Sequence, residues 1–329
     1  MPLREHLAAT GLFEGLAPDV VAQLAAIFTP RSFAAGAHLV EQGDAGAPFV
    51  VLVSGQVVVE RTIDNARHEV ARLGPGRILG EFTLLEDAPA SATVRAVTDV
   101  EALTANREDA QALLAIAPVR SRLEQTARRR HATNRLASID PVTVQRSGRT
   151  FALRPLWPDD WRLLDATAGR TSPESLRKRF FQVPKLHEGF LRKMTNVDYL
   201  AQFAWAVIDD DGIAAVGRYA SIPDAADTAE LALLVADDLH GSGLGKLLVA
   251  ALAAAATEHG ITTFVATALA DNKPVQGLLT RFGATWEPGD RGQEVRATWP
   301  VADALEVAGE QPGVDVQALR AAASSVLGD

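Results

Sequence analysis

The chain has 329 residues, 47% of them hydrophobic and 22% charged, which is enough for two domains and too apolar for wholesale disorder. Its 32 basic and 41 acidic residues give a formal net charge of −9, which disfavours non-specific binding to nucleic acid or anionic lipid. The absence of cysteine excludes disulfides, thiol nucleophiles and Cys-ligated metals. Without a secretory signal or an apolar run of membrane-spanning length, we expect a cytoplasmic protein with no membrane partner and no metal.

The first third of the sequence is rich in β-prone runs. Up to about residue 103, short runs such as FVVLV and QVVVER alternate with glycine, which predicts a β-sandwich or roll preceded by one or two helices. Asn106, with Asp109 three residues later, is typical of a helix N-cap, and a second helix should run to about Arg135. We predict a first domain over residues 1–138 and a linker over residues 139–148.

The remainder of the sequence alternates between strands and helices. From residue 150, the pattern predicts an α/β domain over residues 149–300, in which Ser172 caps a helix that has Pro173 at its first position. The segment 301–329 is expected to be a tail with one amphipathic helix. The fold class is therefore α+β with two domains.

A glycine-rich loop between a β-prone run and a long Ala/Leu helix is the strongest local pattern, within residues 230–248. Gly241, Gly243 and Gly245 let backbone N–H groups approach a ligand, and the helix N-terminus favours an anion such as a diphosphate. A Rossmann motif follows the first strand of its domain and precedes an acid by about twenty residues. Here the motif lies late in its domain and no such acid is evident, so a Rossmann site is disfavoured. A Walker loop does not fit, since Lys246 is not followed by Ser or Thr and the spacing differs.

The loop HGSGLG resembles the pyrophosphate loop of the GNAT acyltransferase superfamily, with His240 in place of the family's Arg or Gln. The run NKPVQGLLTRFGA resembles the family's Asn-led helix, with Phe282-Gly283 in reversed order. The resemblance covers about residues 150–300 and implies acetyl-CoA as co-substrate, with its pantetheine along the strand before the loop. The cofactor-binding residues that it implies are Leu233, Leu234, Val235, His240, Gly241, Ser242, Gly243, Leu244, Gly245 and Asn272.

Glu230 stands at the start of the strand that precedes the loop. A glutamate there can be a solvated strand end, but in the resemblance it occupies the place of the general base, which takes a proton from the acceptor amine. The resemblance also implies that backbone N–H groups near Leu234 polarise the thioester carbonyl. The only tyrosines, Tyr199 and Tyr219, lie outside the Asn-led helix, so water is expected to protonate the departing thiolate.

A second motif lies in the first domain. Residues 79–96, LGEFTLLEDAPASATVRA, resemble the phosphate-binding cassette of cyclic nucleotide-binding domains, and the resemblance covers about residues 12–136. It implies that Gly80 allows close backbone approach, that Glu81 binds the ribose 2′-hydroxyl and that Ser91 lies beside the cyclic phosphate. Ala90 stands where the family has its phosphate-binding arginine, so binding of cAMP is doubtful, and a degenerate roll kept for contacts is the alternative.

Together the two domains resemble the actinobacterial cAMP-regulated protein lysine acetyltransferases. This resemblance implies transfer of acetyl from acetyl-CoA to lysine side chains of metabolic enzymes such as acyl-CoA synthetases. Residues 184–195 would fit either a lid over the acceptor groove or an ordinary surface helix. Two alternatives remain open: a GNAT enzyme for a small amine, and a non-catalytic acetyl-CoA or nucleotide sensor.

Overall fold

The computed structural model describes residues 3–8, 10–63, 65–136, 139–311 and 313–327. The chain forms two compact units, Met1–His131 and Ala132–Asp329, each described by itself below. In the described part of the chain, no helix is long and apolar enough to span a bilayer. The predicted boundary between residues 138 and 139, and the outer ends at residues 1 and 329, fall wholly or partly outside the described residues.

The first unit is a β-roll with helices at both of its sequence ends. Its strands form two antiparallel four-stranded sheets, β1-β8-β3-β6 and β2-β7-β4-β5. The strands are β1 (Thr29–Phe33), β2 (His38–Val40), β3 (Phe49–Ser54), β4 (Val57–Ile63), β5 (Ala66–Leu73), β6 (Ile78–Leu79), β7 (Thr93–Ala96) and β8 (Val100–Ala105). The helices are α1 (Leu3–Ala8), α2 (Pro18–Ala25), α3 (Glu81–Glu86), α4 (Arg107–Leu114) and α5 (Ala117–Arg135), the last of which ends in the second unit.

Apolar positions at strand and helix spacing build the core of the roll. Phe49 and Val51 point to a cluster that contains the helix residues Leu113 and Leu123, whereas Val50 and Leu52 belong to a second cluster between the sheets. This alternation follows from the two-residue period of a strand. Asn106 caps α4 by accepting a hydrogen bond from the backbone N–H of Asp109 at 2.8 Å, as predicted.

The second unit is built on an eight-stranded sheet in the order β15-β16-β14-β13-β12-β11-β10-β9. Neighbouring strands are antiparallel except for β13 and β14, which are parallel. The strands are β9 (Val142–Arg146), β10 (Arg149–Pro155), β11 (Gln202–Asp209), β12 (Gly212–Ile222), β13 (Ala225–Val235), β14 (Thr263–Leu269), β15 (Thr285–Pro288) and β16 (Glu294–Pro300).

Helices cover both faces of this sheet. They are α6 (Trp161–Ala166), α7 (Pro173–Phe180), α8 (Glu188–Thr195), α9 (Leu244–Glu258), α10 (Lys273–Thr280), α11 (Val301–Gly309) and α12 (Val316–Leu327). The apolar run inside α9 is fully buried, and a Cβ on Gly217 of β12 would come within 3.0 Å of Leu252 of α9. The sheet and this helix are therefore closely packed, while α7 lies against β13 and β14. As predicted, Ser172 caps α7 and Pro173 is its first residue.

The structure differs from the sequence-based expectations at the two ends of this unit. The segment expected to be a linker contains β9, which pairs with β10 from Val142↔Leu153 to Arg146↔Arg149. The segment expected to be a tail holds two helices, α11 and α12, and both pack against α9. The strand was missed because only Val144 in it is buried. The domain limits themselves stay a prediction, whereas the predicted fold class is confirmed.

Candidate functional site

The parallel strands β13 and β14 separate partway along their length. They pair from Thr228↔Thr263 to Glu230↔Val265, although β13 continues to Val235 and β14 continues to Leu269. Backbone N–H and C=O groups along the inner edges of the separated segments are therefore open to a ligand, and such groups must be satisfied when they are covered. The strand residues that the sequence assigned to the cofactor, Leu233, Leu234 and Val235, lie in this wedge.

The glycine-rich loop closes the end of the wedge and leads into α9. Gly241 and Gly243 have φ of +81° and +89°, a left-handed conformation that favours glycine. A Cβ on Gly241 would have nothing within 4 Å, so the loop is open to a ligand at this point. Gly243 is the residue before α9, whose first backbone N–H groups have no partner within the helix. Loop and helix N-terminus together form a cradle suited to a diphosphate.

The other loop residues have packing roles as well. A Cβ on Gly245 would lie 3.0 Å from Leu278 of α10, so this glycine allows the two helices to approach. His240 is exposed, and its Nε2 lies 3.2 Å from the carbonyl of Val235, which ties the loop to the end of β13. The Ser242 hydroxyl donates to the carbonyl of Leu239 at 2.6 Å. Leu244 is buried, so it is an anchor of the helix.

Asn272 follows β14 and precedes α10, so it lies at the end of the other strand of the wedge. Its backbone N–H donates to the carbonyl of Leu269 at 2.9 Å, and its own carbonyl accepts from the N–H of Gln276. The Gln276 side chain donates to the carbonyls of Leu269 and Ala270 at 3.2 and 3.0 Å, which fixes this turn. Asn272 itself is half-buried.

Glu230 lies at the point where the two strands part. Its side chain is exposed, and its Oε1 accepts a hydrogen bond from the Thr267 hydroxyl across the wedge at 3.3 Å. Ala220 is its cross-strand partner, and Arg218 of the same face pairs with Ala232. The carboxylate is thus tethered at the wedge and open to solvent.

Two arginines near Glu230 were missed by the sequence analysis. Arg179 lies near the end of α7, and burial lowers its pKa to about 10. The positive charge of Arg218 also lowers this pKa, and the negative charge of Glu230 raises it. Burial also lowers the pKa of Arg218, whose guanidinium donates to the side-chain oxygen of Gln202. The alternation along β12 could have placed Arg218 on this face, but only the docking of α7 brings Arg179 there.

Both tyrosine hydroxyls are occupied by internal hydrogen bonds. Tyr199 donates to the carbonyl of Leu156, and Tyr219 shares a hydrogen bond with Nδ1 of His259. Both side chains are almost wholly buried, and burial raises the pKa of each phenol. In this arrangement the two hydroxyls hold the fold together and are not directed at the wedge.

A small apolar cavity lies on the same face of the sheet as Glu230. Its volume is about 40 Å³, and its walls include Leu234 of β13, Val216 of β12 and Phe180 of α7. Helix α8 closes another side through Leu191 and Met194. This helix carries most of the segment 184–195 and is anchored by Leu191, which is 2% exposed, and by Thr195, whose hydroxyl donates to the carbonyl of Pro158 at 2.9 Å. The helix is thus held at its middle and at its C-terminal end, while its first residues, Glu188 and Gly189, are exposed.

Arg146 is a further cation near the loop. A Cβ on Gly243 would lie 3.6 Å from its Cδ and 3.8 Å from its Nε. Its guanidinium donates to the carbonyls of Gln145 and Gly313 at 2.7 and 3.5 Å, and burial lowers its pKa. No carboxylate pairs with it in the described ranges. No motif pointed to Arg146, because its segment was expected to be a linker.

In the first unit, the cassette residues lie around the start of α3. Gly80 precedes α3 with φ of +87°, and a Cβ there would lie 2.4 Å from the carbonyl oxygen of Pro48, so only glycine fits. Glu81 is 1% exposed and accepts a hydrogen bond from the guanidinium of Arg130 on α5. Arg130 also donates to the carbonyl of Ile78 at 2.7 Å. The carboxylate expected to bind a ribose is therefore already paired.

The expected phosphate end of the cassette carries no guanidinium of its own. Ala90 is held by backbone hydrogen bonds to Asp44 and Gly43, at 2.9 and 2.8 Å, and Ser91 beside it is half-buried. Arg95 lies further along, on β7, where its guanidinium contacts Glu60 at 3.4 Å. In the second unit, Arg135 donates to the carbonyl of Val326 at 2.8 Å. Arg95 and Arg135, two arginines that could otherwise supply the missing charge, are thus engaged elsewhere.

Comparisons with known proteins identify the family of each unit. The family model of the cyclic nucleotide-binding domain matches residues 30–116, and that of the acetyltransferase (GNAT) domain matches residues 150–285. The acetyltransferase Pat of Mycolicibacterium smegmatis is 34% identical over 289 residues, which cover 87% of this chain and 86% of that protein. This chain belongs to the Pat family of acetyltransferases.

Other relatives match only parts of the chain or match it loosely. The cyclic AMP receptor protein of Thermus thermophilus is 38% identical over 109 residues, which are 33% of this chain and 50% of that receptor. The chain therefore spans half the length of that relative. The structure of a cAMP-binding acyltransferase from Mycobacterium smegmatis is 29% identical, with a TM-score of 0.47 over 98% of this chain and 96% of the other.

Membership of the Pat family assigns the two units. The first is a cyclic nucleotide-binding domain, and the second is a GNAT domain whose chemistry is N-acetyl transfer from acetyl-CoA. The wedge and the glycine-rich loop lie within the range that the GNAT model matches, and the cassette lies within the range of the nucleotide-binding model. In the described residues, no cluster of His, Asp and Glu side chains suits a metal ion.

Proposed function

We propose that this chain is a protein lysine acetyltransferase whose acetyl-CoA lies in the wedge between β13 and β14. The observation that carries the proposal is the end of strand pairing at Glu230↔Val265, immediately before the glycine-rich loop. The pantetheine amides would use the backbone groups of Leu233, Leu234 and Val235. The pyrophosphate would lie on the loop from His240 to Gly245, and Asn272 would contact the cofactor from the second strand. This places the thioester near Leu234, whose backbone N–H would polarise the carbonyl.

Glu230 is the general base in this proposal. A lysine amine arrives as an ammonium ion and must lose a proton before its nitrogen attacks the thioester carbon. Glu230 lies where the strands part and is exposed, so it can take that proton directly or through water. The new C–N bond forms as the C–S bond breaks, and CoA leaves as a thiolate. The nitrogen releases its second proton to water as the amide forms, and water passes a proton to the thiolate, because both tyrosine hydroxyls are held inside the fold.

The resemblance to lysine acetyltransferases supports a protein lysine as the acceptor. Actinobacterial relatives suggest lysines of metabolic enzymes such as acyl-CoA synthetases, in the cytoplasm. A small amine is the second candidate acceptor, since the same chemistry would acetylate it. A non-catalytic sensor is disfavoured by the combination of Glu230 with an open loop.

The first unit is proposed to be a regulatory domain of the cyclic nucleotide-binding type whose nucleotide site has lost most of its affinity. Gly80, Glu81 and Ser91 would contact the ribose and phosphate, while Ala90 provides no guanidinium. The pairing of Glu81 with Arg130 adds a competitor for the ribose hydroxyl. We expect cAMP to bind weakly or not at all.

The function is tested by incubating the full chain with isotopically labelled acetyl-CoA and a bacterial lysate, with and without cAMP. Mass spectrometry should find labelled acetyl groups on lysine side chains of a limited set of proteins, with the same yield in both samples. Label in small amines without labelled protein would favour the second candidate acceptor. Absence of any labelled product, with acetyl-CoA bound, would support the sensor.

A further inference from the structure

Two guanidinium groups lie on the side of the sheet that carries Glu230. Arg218 belongs to the sheet, and Arg179 belongs to helix α7, which covers it. Arg218 pairs with Ala232 and Glu230 pairs with Ala220, so Arg218 and Glu230 are diagonal neighbours on one face of the sheet. Val216 and Leu234, a register pair of the same face, line the cavity together with Phe180 of α7. Arg179 precedes Phe180 in the helix that covers this face. The three charged residues therefore surround the place where an acceptor must approach the thioester.

The two guanidinium groups at this place are attracted by Glu230 and Asp198, but neither forms an ion pair in the part of the chain that the structure describes. Arg179 is repelled by Arg218 and attracted by Glu230, and its guanidinium lies over the ring of Phe180 at 4.8 Å. Arg218 donates to Gln202 and is attracted by Asp198, a carboxylate whose Oδ1 already accepts three backbone N–H groups at 3.0 to 3.1 Å. No ion pair neutralises Arg179 within the described residues.

Arg177 of the same helix differs from Arg179 in that it has carboxylate partners. Arg177 donates to Glu174 at 2.9 Å and to Asp271 at 2.6 Å, so its charge is compensated by two carboxylates. A basic residue at the end of a helix is stabilised by the helix dipole, and this accounts for the presence of both arginines in the last turn of α7. It does not account for a second guanidinium, Arg218, placed opposite Arg179 on a strand.

We propose that Arg179 and Arg218 bind a carboxylate of the acceptor that lies beside the lysine to be acetylated. The inference rests on the proposed function and adds the substrate class: a protein lysine with an acidic neighbour. A planar guanidinium binds a carboxylate through two parallel hydrogen bonds, which gives both charge and geometry for recognition. A polyamine, which carries several positive charges, is repelled by the same pair and is a poor acceptor.

The test uses the full chain and blocked peptides that contain one lysine. In one series, a single Glu is placed at each position from three before to three after the lysine, and matched series carry Gln or Lys instead. We expect the kcat/KM of the wild type for the best Glu peptide to exceed that of its Gln partner at least tenfold. Arg179→Gln and Arg218→Gln should each reduce this ratio to below threefold, whereas Arg177→Gln should keep it.

Two controls separate the possible outcomes. Tryptophan fluorescence and calorimetric acetyl-CoA binding should be the same in all three variants, which shows that fold and cofactor site are intact. Equal kcat/KM for Glu and Gln peptides at every position in the wild type, or an unchanged ratio in Arg179→Gln, would overturn this inference and leave the proposed function standing. Efficient acetylation of spermidine with no peptide acetylated would overturn both.

Discussion

The carboxylate of Glu81 and the guanidinium of Arg130 form an ion pair that joins the nucleotide cassette to α5. Glu81 is buried and opens α3, while Arg130 comes from near the end of α5 and also holds the carbonyl of Ile78. A ribose hydroxyl that reaches Glu81 must share it with Arg130 or displace it. A nucleotide bound through Glu81 would therefore be coupled to the position of this arginine.

The first prediction concerns cAMP affinity. A charged hydrogen-bonded pair contributes ~1.5–3 kcal/mol, so loss of the phosphate-binding arginine at Ala90 weakens binding by about tenfold to a hundredfold or more. We expect a submillimolar dissociation constant or none by calorimetry, and activity that cAMP leaves unchanged. Ala90→Arg should tighten binding by about a hundredfold, whereas Ala34→Arg, which adds the same charge outside the cassette, should not. Micromolar binding by the unmodified chain would show that another arginine, such as Arg95, supplies the charge.

The second prediction concerns the glycine-rich loop. Gly243→Val places a branched side chain where the pyrophosphate should lie, so the dissociation constant for acetyl-CoA should rise at least tenfold. Gly260→Val is the matched control, because Gly260 also has a positive φ, of +70°, and open space around it, and it lies beyond the other end of α9. Valine at either position of positive φ costs about 1–3 kcal/mol of backbone strain. Only Gly243→Val should also weaken the binding of acetyl-CoA. Equal binding by the two would exclude the loop as the pyrophosphate site.

The third prediction concerns Arg146. Its guanidinium lies beside Gly243 without a carboxylate partner in the described residues, so a phosphate group on the loop should attract it. Arg146→Ala should raise the KM for acetyl-CoA about tenfold and leave kcat nearly unchanged, because the contact is remote from the thioester. Arg149→Ala is the control, since that guanidinium contacts Asp209 at 3.1 Å. A fall in kcat with unchanged KM would contradict a phosphate-binding role.

The fourth prediction concerns stability against pH. Burial lowers the pKa of His259, so this imidazole is neutral in the folded unit and shares a hydrogen bond with Tyr219. In the unfolded chain its pKa is about 6.5, so the unfolded state binds the proton more readily. The stabilisation that neutral His259 provides is therefore complete above about pH 6.5. It is lost as the pH falls towards the pKa of His259 in the folded unit.

Urea unfolding between pH 5 and pH 8 checks this directly. All five tryptophans lie between residues 157 and 299, so their fluorescence follows the second unit alone. In the wild type, the urea concentration at the unfolding midpoint should decrease as the pH is lowered below about 6.5. His259→Gln should make this decrease smaller. His38→Gln, in the first unit, should leave the profile unchanged. An identical acid-dependent fall in His259→Gln would assign it to other groups.

Local rules of sequence predicted much of the fold. The caps Asn106 and Ser172 each accept a hydrogen bond from the backbone three residues later, and the long run of Ala and Leu became a buried helix. These features depend on neighbouring residues only, so the sequence is sufficient for them. The β9 strand has one buried residue and no clear alternation, so its pairing with β10 could not be predicted.

The candidate site likewise contains some residues that could be predicted from the sequence and others that could not. The glycine-rich loop and Glu230 lie within one short stretch, which the sequence displays directly. Thr267 across the wedge and Arg179 beside the base come from other elements, and they meet Glu230 only because β14 and α7 pack against β13. The pairing of Glu81 with Arg130 spans 49 positions and likewise follows from packing.

The fifth prediction tests the central claim, that Glu230 at the wedge is the base for acetyl transfer. The measurement is the single-turnover rate of lysine acetylation at saturating acetyl-CoA and near-neutral pH, for the wild type, Glu230→Gln and the control Glu287→Gln, an exposed glutamate of the same sheet. The account predicts that Glu230→Gln slows the step by ~10²–10⁴ with acetyl-CoA affinity unchanged, and that the control is unaffected. A Glu230→Gln rate within a few-fold of the wild type, with saturating substrates, would contradict it.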